Sequence, residues 1–231
     1  VVCIERTVSN AHGIAEVTSS AVERKRFFHG GGQTGGHNNY GVYLSGGEIA
    51  SLGPSGSVTI SGQGGLTIGA LATLDAISHH ADVRQKYAVL AEAAGQVATP
   101  QIRNAGTIAG NVMQRPWCWY YRNNFPCYKN GGNTCFSITG ENDFHAIFGG
   151  GPSFIVHPSD TAPALVALGA RFKLQGASGS REVAAADFFQ LPTVNPAKEN
   201  VLATGEVLSE ITVPAPVAGS QSRKSGLANT S

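Results

Sequence analysis

Apolar and polar positions alternate in two short runs near residue 60. Val58-Thr59-Ile60 and Leu66-Thr67-Ile68 both read as strands, and the Gly-Gln-Gly-Gly turn between them predicts a hairpin. From Thr73 to Val97 the period changes. Val83, Tyr87, Leu90, Ala91 and Ala94 recur at three- and four-residue steps, which predicts helix with Thr73 or Asp82 as cap and Pro100 as its end. Later, Phe154-Ile155-Val156 and Ala170–Leu174 read as strands, Thr161–Leu168 as a helix after a Pro-Ser-Asp cap, and Val207–Val213 as a further alternating strand. Short strands interspersed with helices give an α+β, or mixed α/β, architecture. No internal repeat is present.

Two stretches lack periodicity. The first 60 residues are rich in Gly, Ser and Asn, and a basic patch (Arg24, Lys25, Arg26) runs through Phe27 and Phe28 into His29-Gly30-Gly31-Gly32-Gln33-Thr34. Residues 115–150 read as one long loop. A loop of that length inside a compact domain is usually functional or disordered, and Trp117, Trp119, Tyr120, Tyr121 and Phe125 argue against disorder.

Composition narrows the function. A chain of 231 residues buries a real core as one large domain or two small ones. Net charge of +1 and only 13% charged residues argue against nucleic acid, despite the aromatic and basic residues of the long loop. No apolar run approaches the roughly 18 residues that span a bilayer, so no direct membrane insertion is expected. The 30 glycines cluster in loops, which suits close approach of backbone to a ligand.

Gly30 to Thr34 present consecutive backbone N–H groups as an anion-binding nest, although such turns are often only turns. Neither a GxGxxG fingerprint nor a GxxxxGK[ST] loop is present, which removes Rossmann and P-loop readings. A second loop, Thr107-Ile108-Ala109-Gly110-Asn111, offers a hydroxyl, an amide and a small-residue gap. It reads equally as a helix start capped by Thr107. Asp160, in His157-Pro158-Ser159-Asp160, either receives ligand hydroxyls or caps the next helix.

Cys118, Cys127 and Cys135 are spaced C-x8-C and C-x7-C. A disulfide would leave one of them over. Structural zinc sites normally include a short C-x2-4-C knuckle, absent here, so a zinc-stabilised interaction module is the weaker reading. Iron–sulfur clusters accept irregular spacing. The set is one thiolate short of four, with Cys3, His145, His157 and Ser153 as candidates for the fourth position. Arg115, Arg122 and Lys129 are placed to offset thiolate charge, or are solvated surface cations.

QIRNAGTIAGNVMQR, CWYYR, PCYK, ENDFHAIFGGGPSFIVHPSDTAPALVALGA and GEVLSEITVPAP together resemble the FAD-binding medium subunit of molybdenum hydroxylases, the xanthine dehydrogenase and carbon monoxide dehydrogenase family. Within it they are similar to the bacterial aldehyde oxidoreductase branch, which carries a [4Fe-4S] cluster in an inserted loop. The match is specific from about residue 66 to 216 and weaker before it.

The resemblance implies a two-subdomain PCMH-type fold. Residues 1–65 would form the N-terminal FAD-binding subdomain, and 66–216 the second, with the Cys-rich insertion at 115–150. Residues 217–231 would begin a linker to a C-terminal domain largely missing from this chain. Phe28, His29, Gly30, Gly31, Gly32, Gln33 and Thr34 would wrap the FAD pyrophosphate. Thr107, Ile108, Gly110 and Asn111 would form the second FAD loop, with Ile108 against the flavin ring and Asp160 near its polar chain. Cys118, Cys127 and Cys135 would hold the [4Fe-4S] cluster. Ser153 stands where the branch has its fourth cysteine. Implied partners are a molybdopterin-binding large subunit, a [2Fe-2S] small subunit and an external electron acceptor, in a bacterial cytoplasmic or periplasmic complex. A flavoprotein of the same fold without the cluster is the alternative.

Overall fold

The structure, a computed structural model, describes residues 56–60 and 64–217, together with the backbone of three short strands before them. Those strands, β1 (Glu16–Val17), β2 (Val42–Leu44) and β3 (Gly47–Ile49), form a small sheet in that order, parallel between β1 and β2 and antiparallel between β2 and β3. The glycine loop 28–34 lies outside the described residues.

The main sheet follows the alternating pattern. β4 (Val58–Ile60) and β5 (Leu66–Gly69) pair antiparallel with Val58 opposite Ile68. β8 (Val207–Val213) lies between β5 and β6 (Arg171–Gly176), and β7 (Gly179–Ala184) closes the edge, giving the order β4-β5-β8-β6-β7. The hairpin partner β7 escapes the hydrophobic pattern because GSREVA sits on the sheet edge with its first four residues exposed. In β8 the alternation slips, with Leu208 and Ser209 both buried. The register shifts opposite, between Lys173 and Leu174, and Ser209 Oγ donates to the Lys173 carbonyl at 3.0 Å, which satisfies its buried hydroxyl.

The helical stretch after residue 73 is broken into three. α1 (Leu74–His79) starts where Thr73 Oγ1 accepts the Ala76 amide at 3.1 Å. His80 is extended (ψ 125°) and separates it from α2 (Ala81–Lys86). Tyr87 (φ −134°, ψ 48°) separates that from α3 (Ala88–Gly95). The second break has a cause outside local periodicity. The Tyr87 ring is fully buried, and its hydroxyl reaches the carbonyls of Pro214 (3.0 Å) and Gly64 (3.3 Å). Pro100 does not merely end the segment. It is the first residue of α4 (Pro100–Ala105), where a missing N–H costs nothing, behind the cap Thr99.

α5 (Ile108–Val112) follows at once, and α6 (Trp119–Arg122) lies in the cysteine loop. α7 (Thr161–Ala167) and the short α8 (Ala185–Phe188) complete the domain. The expected strand Phe154–Val156 is absent. Val156 is exposed, and the segment makes irregular contacts such as Ala146 N–H to the Phe154 carbonyl. The core joins Leu66 and Ile68, Phe172 and Leu174, and Ile211 of the sheet to Leu74, Ile77, Leu90, Ile108, Leu165 and Phe188. Each such side chain contributes about 1.5–3 kcal/mol on burial. No helix among the described residues is long and apolar enough to cross a membrane.

Candidate functional site: two adjoining junctions

The first junction joins α5 to α7. Thr107 is the N-cap of α5, its Oγ1 accepting the Gly110 amide at 3.1 Å. Asn111, one turn on, is buried, and its Oδ1 accepts three hydrogen bonds. Two are from the Ser159 and Thr161 hydroxyls, both at 2.6 Å, and one is from the Thr161 amide at 3.2 Å. Because an amide N–H can only donate, the Asn111 side chain is oriented unambiguously. Its Nδ2 is buried and, among the described residues, has no hydrogen-bond partner. A buried donor with nothing to donate to is costly, and a polar ligand at this junction would satisfy it.

The cap of α7 is Ser159, whose Oγ accepts the Ala162 amide at 3.0 Å, whereas Asp160 makes no side-chain cap. The Asp160 carboxylate is exposed at the turn. Ile108 is fully buried and belongs to the core. It therefore supports the loop from beneath. Ser159, without an assigned role in the sequence reading, is the hub between the two segments. The HPSD turn contains it, but nothing in the spacing marks which of its residues faces Asn111.

His157 closes the same turn, accepting the Ser159 amide on Nδ1 at 3.3 Å and packing edge-on to Phe189. Burial pushes its imidazole down from 6.5 to about 4. The Val112 carbonyl opposes this, and the Lys129 charge adds to it. The folded state thus takes up this proton less readily than the unfolded chain. The stabilisation is fully present above pH 6.5 and is lost as pH falls toward 4. Thermal unfolding followed across that window should show a falling midpoint, with a shallower fall in His157→Gln; equal slopes would remove His157 as the cause.

The second junction is the cysteine loop. Side-chain packing replaces periodicity as its organising principle. Tyr120 meets Phe125 at 5.3 Å and Phe136 at 5.9 Å between ring centroids, and Trp119 meets Phe144 edge-on at 6.0 Å. Gly132 and Gly140 permit close approach, since a Cβ at either would collide with the Pro126 carbonyl or the Tyr120 hydroxyl. Cys118 caps α6, and burial raises its thiol pKa. The amides of Tyr121 and Tyr120 oppose that shift, while Cys127 and Cys135 reinforce it.

Cys118, Cys127 and Cys135 are free thiols, which removes the disulfide reading for them. All three line one narrow cavity together with His145 and the buried Ser153. About 10 Å3 of it admits a water centre, roughly one water's worth. Among the described residues, however, no three His, Cys, Asp or Glu side chains are gathered in a metal-binding arrangement. Thiols, an imidazole and a hydroxyl around one cavity match iron–sulfur chemistry in kind. Cys3 lies outside the described residues, and His157 belongs to the first junction.

The three cations do not act alike. Arg122 donates to the carbonyls of Pro116 and Arg115 and stacks over Trp117. Arg115 stacks over Tyr121 and lies 2.9 Å from Glu199 Oε2, off the hydrogen-bond axis of its Nε–H, so the pair is an ion contact. Lys129 alone lines the cysteine cavity. Its buried ammonium donates to Glu199 Oε1 at 2.6 Å and to the Pro196 carbonyl at 3.2 Å. Glu199, which no motif marked, thus fastens the loop to the chain 70 residues on.

A sheet backed by helices, with one polar and one thiol-lined junction, makes this an α+β domain. Residues 49–216 match the family described as the FAD binding domain in molybdopterin dehydrogenase. The chain belongs to this family of oxidoreductase flavin domains, and its fold is of the PCMH type. It is 37% identical over 166 residues to the aldehyde oxidoreductase FAD-binding subunit PaoB of Escherichia coli (strain K12), covering 70% of this chain and 52% of that protein. It is 28% identical over 155 residues to the nicotinate dehydrogenase FAD-subunit of Eubacterium barkeri, covering 67% and 38%. A reconstituted CO dehydrogenase from Oligotropha carboxidovorans superposes with a TM-score of 0.47 at 25% identity, over 71% of this chain and 42% of that one. The chain spans about half or less of the curated relatives it matches.

Proposed function

We propose that this chain is the FAD-carrying electron-transfer subunit of a heteromeric molybdenum hydroxylase that oxidises an aldehyde or N-heterocycle. The family match over residues 49–216 carries the reading. The Asn111 Nδ2, without a partner among the described residues at the junction of α5 and α7, supports it. Substrate is oxidised on a separate molybdopterin-binding subunit. This chain would hold the FAD, which would supply the redox chemistry between a [2Fe-2S] small subunit and an external acceptor.

The residues of this chain bind and position. Phe28, His29, Gly30, Gly31, Gly32, Gln33 and Thr34 supply one loop to the pyrophosphate. Thr107, Gly110 and Asn111 supply the second, held rigid by the Thr107 cap and by the three bonds to Asn111 Oδ1. Asp160 accepts hydrogen bonds from the polar chain of the cofactor. Cys118, Cys127 and Cys135 would be the thiolate donors to a [4Fe-4S] cluster, for which their cavity, one water in volume, would have to open. Burial raises the Cys118 thiol pKa, and the neighbouring Tyr121 and Tyr120 amides oppose that rise.

Asp160, exposed at the turn, gives a test of the site. A hydrogen bond to a charged group is worth about 1.5–3 kcal/mol, so Asp160→Ala should weaken FAD binding by roughly tenfold to a hundredfold. Titration of the flavin-stripped complex with FAD measures this. Unchanged affinity would remove Asp160 from the site, and failure of the unsubstituted complex to bind FAD would contradict the function.

A further inference from the structure

We propose that His157 is a positioning residue for FAD, because its imidazole Nδ1 shapes the turn that aims the Asn111 amide at the cofactor; the inference rests on the proposed flavin site. The contacts form a closed ring. His157 Nδ1 accepts the Ser159 amide at 3.3 Å. Ser159 Oγ donates to Asn111 Oδ1 at 2.6 Å, and Val112 follows Asn111 directly in α5. The Val112 carbonyl in turn lies beside the His157 imidazole. Turn and helix are therefore joined on both sides of Asn111, once through a hydroxyl and once through the imidazole.

The tautomer follows from the same contacts. A ring nitrogen that accepts a backbone amide carries no proton, so the proton of the neutral imidazole sits on Nε2. Nε2 is buried and, among the described residues, makes no well-formed hydrogen bond, so the Val112 carbonyl is an imperfect acceptor for it. Phe189 packs edge-on to the ring at 4.9 Å between centroids and holds it against the turn. A side chain that accepts the amide two residues on closes an Asx-type turn, which asparagine and aspartate form with Oδ1. His157 closes the same turn with Nδ1.

The consequence for a ligand is directional. Asn111 Oδ1 is spent on Ser159 and Thr161, which leaves Nδ2 as the side-chain group still able to donate. Ser159 Oγ also accepts the Ala162 amide at 3.0 Å, so the hydroxyl is held from both ends. Without the His157 acceptor the Ser159 amide loses this partner and the turn relaxes. The Asn111 amide is then free to rotate, and Nδ2 no longer has one direction.

Flavin-stripped complex containing this chain is titrated with FAD, unsubstituted and as His157→Asn and His157→Phe. Asparagine places Oδ1 where the imidazole has Nδ1 but brings no ring. Phenylalanine keeps a ring on Phe189 but offers no acceptor. The inference expects His157→Phe to bind FAD about threefold to tenfold more weakly, the worth of one neutral hydrogen bond, and His157→Asn to bind it like the unsubstituted chain. Equal weakening in both variants, or unchanged affinity in both, overturns the role of the acceptor while the flavin site stands. A weakened His157→Asn contradicts the inference by itself, so the test holds even where the phenylalanine chain does not assemble. Failure of the unsubstituted complex to bind FAD contradicts the flavin site, and the inference with it.

Discussion

Glu199→Ala should destabilise the protein by about 3–5 kcal/mol, because it leaves a buried ammonium without its counter-charge. The side chains of Lys129 and Glu199 are only 4% and 6% exposed, and their 2.6 Å contact spans 70 residues of chain. Arg115 shares the same carboxylate, so one truncation releases two cations at once. The Pro196 carbonyl remains for Lys129 but is no substitute for a charge. Denaturant unfolding measures the loss. Lys129→Met combined with Glu199→Met should recover most of it, since removing both charges also removes the desolvation cost. A single variant within 1 kcal/mol of wild type, a difference too small for a stranded buried charge, would mean that the pair is solvated in solution.

The second large effect is expected at Asn111. In Asn111→Leu the hydroxyls of Ser159 and Thr161 and the Thr161 amide lose one shared acceptor. Each stranded donor costs about 1–3 kcal/mol, and partial rearrangement of the hydroxyls holds the total to about 3–5 kcal/mol. Asn111→Asp keeps an acceptor oxygen and should lose less. Unfolding free energies of the two variants decide the matter. Equal losses would show that volume, and not the acceptor, holds α5 against α7. The leucine variant should also release FAD, because both loops of the junction depend on the same oxygen.

Much of this was legible in the residues themselves. The β4–β5 hairpin follows from alternation around a glycine turn, and the caps at Thr73 and Thr107 follow from side-chain chemistry. β8 has the bounds its pattern predicts. What escaped reading depends on distant partners. Tyr87 interrupts a helical period because its hydroxyl is drawn to Pro214, 127 residues away. Edge strand β7 carries too little apolar signal, and Phe154–Val156 is apolar without being paired.

The site divides in the same way. The spacing of Cys118, Cys127 and Cys135 marked a thiol cluster, and the fold brings all three to one cavity. Arg115 and Arg122, read as offsetting thiolate charge or as surface cations, are engaged by carbonyls, aromatic rings and Glu199. Ser159 and Glu199 were invisible as functional positions, since each matters only through a partner 48 or 70 residues away. The loop Phe28–Thr34 lies outside the described residues, so its part rests on sequence.

The central claim is that this chain carries FAD in the path of electrons leaving the substrate. Anaerobic addition of an aldehyde or N-heterocycle substrate to the purified complex, followed by flavin absorbance, tests it most directly. The account predicts one FAD for each copy of this chain and bleaching of its absorbance without any added acceptor. A complex that consumes substrate while this chain holds no flavin, or holds flavin that stays oxidised, would contradict it.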